Sequence, residues 1–391
     1  MNKSEISAVT PPYLLEAGTS EDFLMTTATT TPLAVTQADF SFVLASHPVF
    51  LAAMWVYRVP LVVIFVLGIF GNTMTLVLQP RIFRGSSSAM SVFISSLAVS
   101  DSAMLLVMGI SMYLFSYDIA IMSLHGALCK MFYWLVYVIA PTSSWILVAM
   151  TLQRATSILW PHRVNSAWTA MKAKTTVLVI VVTLMILYSH VLYGRQVQSL
   201  PSGQQICVFV SEGYREFSNR VWSWVDIVLA SFVPFVLLFT ANVVLVKRVR
   251  RSMREARQIL TVGSTDQLKV RQKKSSSMTL TLVCVPVCFL LLTSPICVFF
   301  VVQHTASHAI VSDVNEAADN YFAEAIGTVL WLANSAINFY IYILTGSRYR
   351  AALAILCGCH APQKVTMSVT RSTAAKRSLD YSTSQSWDGD R

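Results

Sequence analysis

Charge is scarce in this sequence. Of its 391 residues only 12% are Asp, Glu, Lys or Arg, about half the share of a soluble domain. With 55% apolar or aromatic residues and a mean hydropathy of +0.59, a soluble chain would expose large sticky patches. A disordered chain and a collagen are excluded on those grounds, and the composition counts against an ordinary cytosolic enzyme. Cysteine is also sparse: seven in the chain leave room for one bridge but not for a disulfide framework. No HExxH or GxSxG occurs, and Asp101 and Asp226 lack the GxGD setting of an intramembrane aspartyl pair, so no catalytic residue is assigned. No repeat relates the two halves, which counts against an inverted-repeat transporter. The first 50 residues lack a basic stretch followed by an apolar core, so no cleaved signal peptide is expected.

What the sequence has in quantity is long apolar runs. A helix needs about 20 of them to cross the hydrocarbon core, and seven such runs occur, at 56–79, 89–113, 127–152, 174–193, 221–246, 276–302 and 321–344. Counting Lys and Arg between the runs places 23 on one side and six on the other. The richer side is cytoplasmic by the positive-inside rule, so the N-terminus is expected outside and the C-terminus inside. Acids divide the opposite way, with twelve outside, five inside and two, Asp101 and Asp226, within spans. The net charge of +10 therefore reports topology, and no nucleic-acid partner is expected. The Thr- and Ser-rich segment 1–54 reads as a disordered extracellular tail, with one glycosylation sequon at Asn2.

Polar groups inside spans are costly and mark function. Asn72, Asp101, Ser143, Asn334, Ser335 and Asn338 form such a set on four spans. With Asp101 as the acid it could hold a hard cation through oxygen ligands, and the alternative is a satisfied structural network.

At this point a resemblance is evident. Gly71-Asn72, Leu97-Ala98-Val99-Ser100-Asp101, Arg154 at 25 residues after Cys129, Pro234, Pro295 with Phe289 six residues before it, and Asn338-Phe339-Tyr340-Ile341-Tyr342 follow in order. Over roughly residues 55–357 the chain resembles the rhodopsin-like (class A) G-protein-coupled receptors. The resemblance implies an all-α seven-transmembrane helix bundle at 55–346, a short amphipathic eighth helix at 347–358 and a disordered cytoplasmic tail at 359–391. It implies a disulfide between Cys129 and Cys207, which are also the cysteines on the oxidising side; two free thiols are the alternative. It implies a sodium ion, the sole cofactor considered, at Asp101, Ser143, Asn334, Ser335 and Asn338. Coupling and activation fall to Gln153, Arg154, Phe289, Pro295 and Tyr342. Cys357 and Cys359, after the eighth helix, are palmitoylation candidates.

Departures from the family pattern bear on activation. Gln153 stands where the family has an acid before the coupling Arg, which removes a charge-assisted pairing and leads us to expect raised basal activity. Thr293 stands for the usual Trp of span six, Phe339 for a Pro, and span four has no Trp. Val136 stands where aminergic receptors carry Asp, and span seven has no Lys for a retinal Schiff base. A divergent peptide receptor is the expectation: an acidic, aromatic mouth of Tyr133, Val136, Tyr137, Asp226, Phe299 and Glu324 suits a small basic or amidated neuropeptide. Trp222, Trp224 and Tyr321 read more simply as an interfacial belt. Expected partners are an extracellular peptide, a heterotrimeric G protein, membrane lipid, and arrestin and receptor kinases acting on the Ser/Thr-rich tail. The location is the plasma membrane. A seven-helix channel or transporter, or a receptor for a non-peptide ligand, is the alternative.

Overall fold

The computed structural model describes residues 37–82, 88–159, 168–200, 203, 205–260, 284–303 and 313–359. Seven helices among them are long and apolar enough to cross a membrane: Pro48–Ile82, Ala89–Phe115, Gly126–Ser157, Ala170–Gly194, Glu212–Arg248, Cys284–Gln303 and Val314–Thr345. They are spans one to seven below. A shorter helix, Gln37–Ser46, precedes span one, and a terminal helix, Ser347–Leu356, follows span seven. Asn2, the 261–283 stretch and the Ser/Thr-rich tail from 360 lie outside the described residues.

Local chemistry sets the helix starts. Ser88, Thr169, Ser211 and Asp313 are extended and accept from the backbone N–H of Met90, Lys172, Tyr214 and Asn315 respectively, so each satisfies one orphan donor of a first turn. Pro48 opens span one at a position where a missing N–H costs nothing. Three stretches are wound as π-helix: Leu105–Gly109 in span two, and Ser218–Trp222 and Ile227–Phe232 in span five.

Three spans begin well before the apolar runs do. Span one starts at 48 instead of 56, span five at 212 instead of 221, and span seven at 314 instead of 321. The early turns are helical but one-sided, so mean hydropathy misses them. The expectation of disorder through residue 54 is corrected for 37–54. Leu44, Phe50 and Ala53 are almost wholly buried in one cluster with Ala318, Tyr321 and Ala325 of span seven, and Phe50 meets Tyr321 edge-on at 5.0 Å. The Thr/Ser-rich composition ends near residue 36, and the apolar stretch after it has a face to bury.

Spans one, two and seven share that core. Gly68 permits their contact: a Cβ there would collide with the Leu105 side chain and lie 3.0 Å from Ala336 Cβ. Between spans four and five the chain makes an antiparallel hairpin, β1 (Arg195–Ser199) and β2 (Gln205–Phe209), with Val197 opposite Cys207. This small sheet is the one element outside the helical expectation among the described residues. At the same end of the molecule, Arg58 Nε donates to the Ser116 carbonyl at 3.0 Å and its guanidinium lies 4.5 Å from the Tyr117 ring. The turn continues through Asp118 at φ 64°, a left-handed position that Asp tolerates. Burial raises the Asp118 carboxyl above its usual range, and Arg58 pulls it back.

Candidate functional site

The disulfide joins Cys129, in the first turn of span three, to Cys207 of β2. Both residues are fully buried, and the bond pins the hairpin to span three. A second attachment is electrostatic. The Arg195 guanidinium lies between two rings, 4.0 Å from Tyr133 and 3.8 Å from Phe209, a double cation–π contact. Tyr133, expected in the ligand mouth, is therefore covered by the hairpin's own arginine.

Beside the hairpin lies an aromatic cluster around Asp226. The Tyr188 hydroxyl of span four donates to Asp226 Oδ1 at 2.5 Å. Tyr188 stacks on Tyr137 of span three, with centroids 5.6 Å apart and planes 23° apart, and meets Trp222 edge-on at 5.7 Å. His190 sits 4.1 Å from the Trp222 ring and shares a 2.7 Å hydrogen bond with the Tyr214 hydroxyl. Trp222 is thus part of this cluster, because the upper turns of span five bring its indole against span four. Gly194 makes room for the assembly, since a Cβ there would occupy the Tyr214 ring.

The other expected mouth residues reach different neighbours. Glu324 lies beside Tyr57 of span one, whose hydroxyl also meets Thr328. Val136 packs on the core of spans one, two and seven. Phe299 of span six is half-buried, with its ring 5.7 Å from Phe300. Tyr137 and Asp226 are brought together through Tyr188, a residue the sequence did not single out.

Midway along the bundle the polar residues form a network. Asp101 is 0% exposed; its Oδ1 accepts from Ser143 Oγ at 3.1 Å and its Oδ2 from Asn338 Nδ2 at 2.8 Å. Ser143 Oγ is also 2.9 Å from Ser100 Oγ, and Ser335 completes the set around the carboxylate. Asn72 Nδ2 donates to the Ser335 carbonyl at 3.1 Å, and Asn72 Oδ1 is buried without a partner. Asn334 is buried but makes no side-chain hydrogen bond among the described residues. The donor set is oxygen-rich, as a hard cation requires, and the unpartnered Asn72 oxygen is a further candidate ligand.

At the end opposite the disulfide lies Arg154. The preceding Gln153 is buried and turned along its own helix, donating from Nε2 to Ser157 Oγ at 3.3 Å. Its Oε1 and the Arg154 Nε are both buried without partners, and no acid pairs with Arg154 among the described residues. Tyr342 of span seven stacks on Tyr349 of the terminal helix, with centroids 5.0 Å apart. The Tyr349 hydroxyl accepts from Gln79 Nε2 at 2.5 Å, and Ser91 donates to Gln79 Oε1 at 3.3 Å. Burial raises the Tyr349 phenol, while the Gln79 hydrogen bond and the Arg154 charge lower it. Gln79 and Tyr349 were not foreseen.

Span six carries Phe289, edge-on to Phe235 of span five at 5.7 Å. Thr293, one turn later, donates to the Phe289 carbonyl at 2.6 Å. Pro295 is exposed within an unbroken helix, and Cys297 Sγ meets Ser231 Oγ at 3.2 Å. Cys357 and Cys359 are exposed free thiols.

The family described as 7 transmembrane receptor (rhodopsin family) matches residues 71–342. A Caenorhabditis elegans protein named as a candidate G-protein coupled receptor is 23% identical over 257 residues, covering 61% of this chain and 58% of its own length. The chain thus spans less than two thirds of that relative. The family match opens on Gly71 of span one and closes on Tyr342, and it contains the whole network around Asp101. Seven membrane-length helices, the disulfide and that match agree: the chain belongs to the rhodopsin family of seven-transmembrane receptors.

Proposed function

We propose that this receptor binds a small basic or amidated neuropeptide at the disulfide end and activates a heterotrimeric G protein at the Arg154 end. The observation that carries the ligand reading is the Asp226 carboxylate, set among Tyr137, Tyr188 and Trp222 beside a hairpin anchored on span three. A carboxylate amid aromatic rings recognises a guanidinium or ammonium by charge and by ring faces. Tyr188 occupies one carboxylate oxygen, so a ligand cation would compete for Asp226 or bind its second oxygen.

The same reading orients the protein with its N-terminus outside and the basic continuation of span five, Lys247 to Arg254, facing the cytoplasm of the plasma membrane. Ligand binding then shifts a population: span six moves from span three, and Arg154 becomes available to the G-protein α subunit. Asp101, Ser143, Ser335, Asn338 and Asn72 would hold a sodium ion, whose charge would favour the resting arrangement. Asn334, which makes no hydrogen bond to the network, is left out of this set. Palmitoylation at Cys357 and Cys359 would attach the chain after the terminal helix to the bilayer. Arrestin and receptor kinases would act on the Ser/Thr-rich tail.

Reconstituted receptor with G protein, screened against neuropeptides for stimulated nucleotide exchange, tests the proposal. A basic peptide should act, and Asp226→Asn should weaken it by about 10-fold or more, as loss of a charged contact implies. Ion flux without exchange would refute coupling. A neutral lipid agonist insensitive to Asp226→Asn would refute the peptide reading.

A further inference from the structure

Span five does not stop at the membrane. Its membrane-length stretch ends at Arg248, but the same α-helix runs without a break from Val233 to Leu260. The residues from 249 to 260 add about 18 Å of helix. No Pro or Gly follows Pro234 in it to bend the axis, so the extension continues the line of span five away from the bilayer. It leaves from the end of the bundle that carries Arg154. Trp145 of span three donates to the Leu229 carbonyl of span five, and both helices run on from there away from the disulfide.

Two faces are written into this extension. Val246, Val249, Met253, Ala256 and Leu260 recur at alternating steps of three and four residues, which places them within an arc of about 80° on one side of the helix. Lys247, Arg248, Arg250, Arg251, Arg254 and Arg257 fall on the other side, with Glu255 the single acid between 246 and 260. Lys247, Arg248, Arg250, Arg251 and Arg254 are exposed. A membrane anchor needs the positive charge but not an apolar stripe that continues beyond the membrane.

Three partners can take an amphipathic helix: a bilayer surface, a second copy of the chain, or an apolar groove on another protein. The axis disfavours the bilayer, because a helix that continues a transmembrane span does not lie flat on the headgroups. A second copy would set one basic face against another. A groove rimmed by acids satisfies both faces at once. We infer that 246–260 is the docking segment for an acidic calcium sensor of the EF-hand type, whose methionine-rich groove opens when calcium binds. The groove takes the apolar stripe, and the acidic rim meets the arginines. In the cytoplasmic orientation proposed above, on which this depends, the bound sensor stands where a G protein would approach Arg154, and a rise in calcium interrupts coupling.

The test uses full-length receptor in phosphatidylcholine nanodiscs, with calmodulin as the probe. Immobilised calmodulin should retain the receptor in calcium and release it in EGTA. Met253→Glu puts a charge in the stripe and should weaken binding about 30-fold or more, as loss of one anchor implies. Arg250→Glu combined with Arg254→Glu, both at exposed positions, should slow association about tenfold at low salt and remove most of its salt dependence. Retention that persists in EGTA, or is unchanged in folded Met253→Glu receptor, overturns the groove. Absence of retention overturns the partner, and trypsin protection of the segment confined to phosphatidylserine discs would then assign the helix to lipid. Sealed right-side-out vesicles read the orientation separately: calmodulin should reach the receptor only after permeabilisation, and binding to intact vesicles would refute the proposed topology rather than the groove contact.

Discussion

Replacing Gln153 with Glu tests how the resting state holds its arginine. In the structure Arg154 Nε and Gln153 Oε1 are both buried and unpartnered, and the Gln153 amide spends its donor on Ser157. A carboxylate at 153 presents two acceptor oxygens and a full charge to a guanidinium that is already desolvated. A hydrogen bond to a charged group contributes about 1.5–3 kcal/mol. Part of that is lost to burying the new carboxylate, leaving about 1.4 kcal/mol, or tenfold in the equilibrium between resting and active states. Where the active state is the minor one, ligand-free nucleotide exchange on a reconstituted G protein should fall about tenfold. Ser157→Ala frees the Gln153 amide without adding charge and should change basal exchange by less than twofold. If Gln153→Glu folds, binds G protein and leaves basal exchange unaltered, the reasoning that an absent acid loosens Arg154 is wrong.

Four further outcomes follow from the same geometry. Tyr188→Phe keeps the stack on Tyr137 but removes the 2.5 Å hydrogen bond to Asp226, and should cost about 1.5–3 kcal/mol, read as a lowered apparent Tm in detergent; combination with Asp226→Asn should recover part of the loss, and strict additivity would deny the pairing. Cys129→Ser or Cys207→Ser releases the hairpin from span three and should cost about 2–5 kcal/mol, seen as loss of folded receptor at the cell surface. Gly194→Ala drives a methyl into the Tyr214 ring and should sharply reduce folded yield; Tyr214→Ala should rescue it and Tyr214→Phe should not. Asp101→Asn retains side-chain partners for Ser143 and Asn338 but removes the charge, so any sodium dependence of receptor thermal stability should disappear, and its persistence would place the ion elsewhere.

The seven spans were legible because crossing a bilayer needs long apolar runs, which composition cannot hide. Their ends were less so. The first turns of spans one, five and seven pack on neighbouring helices by one face only, and Gln37–Ser46 is recognisable as a packed helix only with span seven beside it. The Asp101 network was legible for the same reason as the spans: each polar group there is expensive, so its presence is informative. Tyr188 and Tyr349 gave no such signal. A tyrosine in a membrane helix is unremarkable, and its significance lies in partners 38 and 270 residues away, Asp226 and Gln79. The hairpin was missed because five-residue strands of mixed polarity resemble any loop. Its stability comes from Cys129 and from the rings around Arg195, which are contacts across the sequence.

The two π turns of span five bear on how this receptor can vary. Each π turn accommodates a residue that a regular α-helix would not hold, and an α-helical residue occupies about 100° of rotation. Removing one residue from Ile227–Phe232 would let that turn relax to α-helix while the lower part of span five keeps its register against spans three and six. The turns above it would keep their facing too, so Asp226 stays on Tyr188, whereas the same deletion in a regular α-helical turn would rotate them by about 100°. A single-residue deletion, usually ruinous inside a membrane helix, would there be absorbed by the π turn, leaving in place both the Asp226 surface and the half of the helix nearer Arg154.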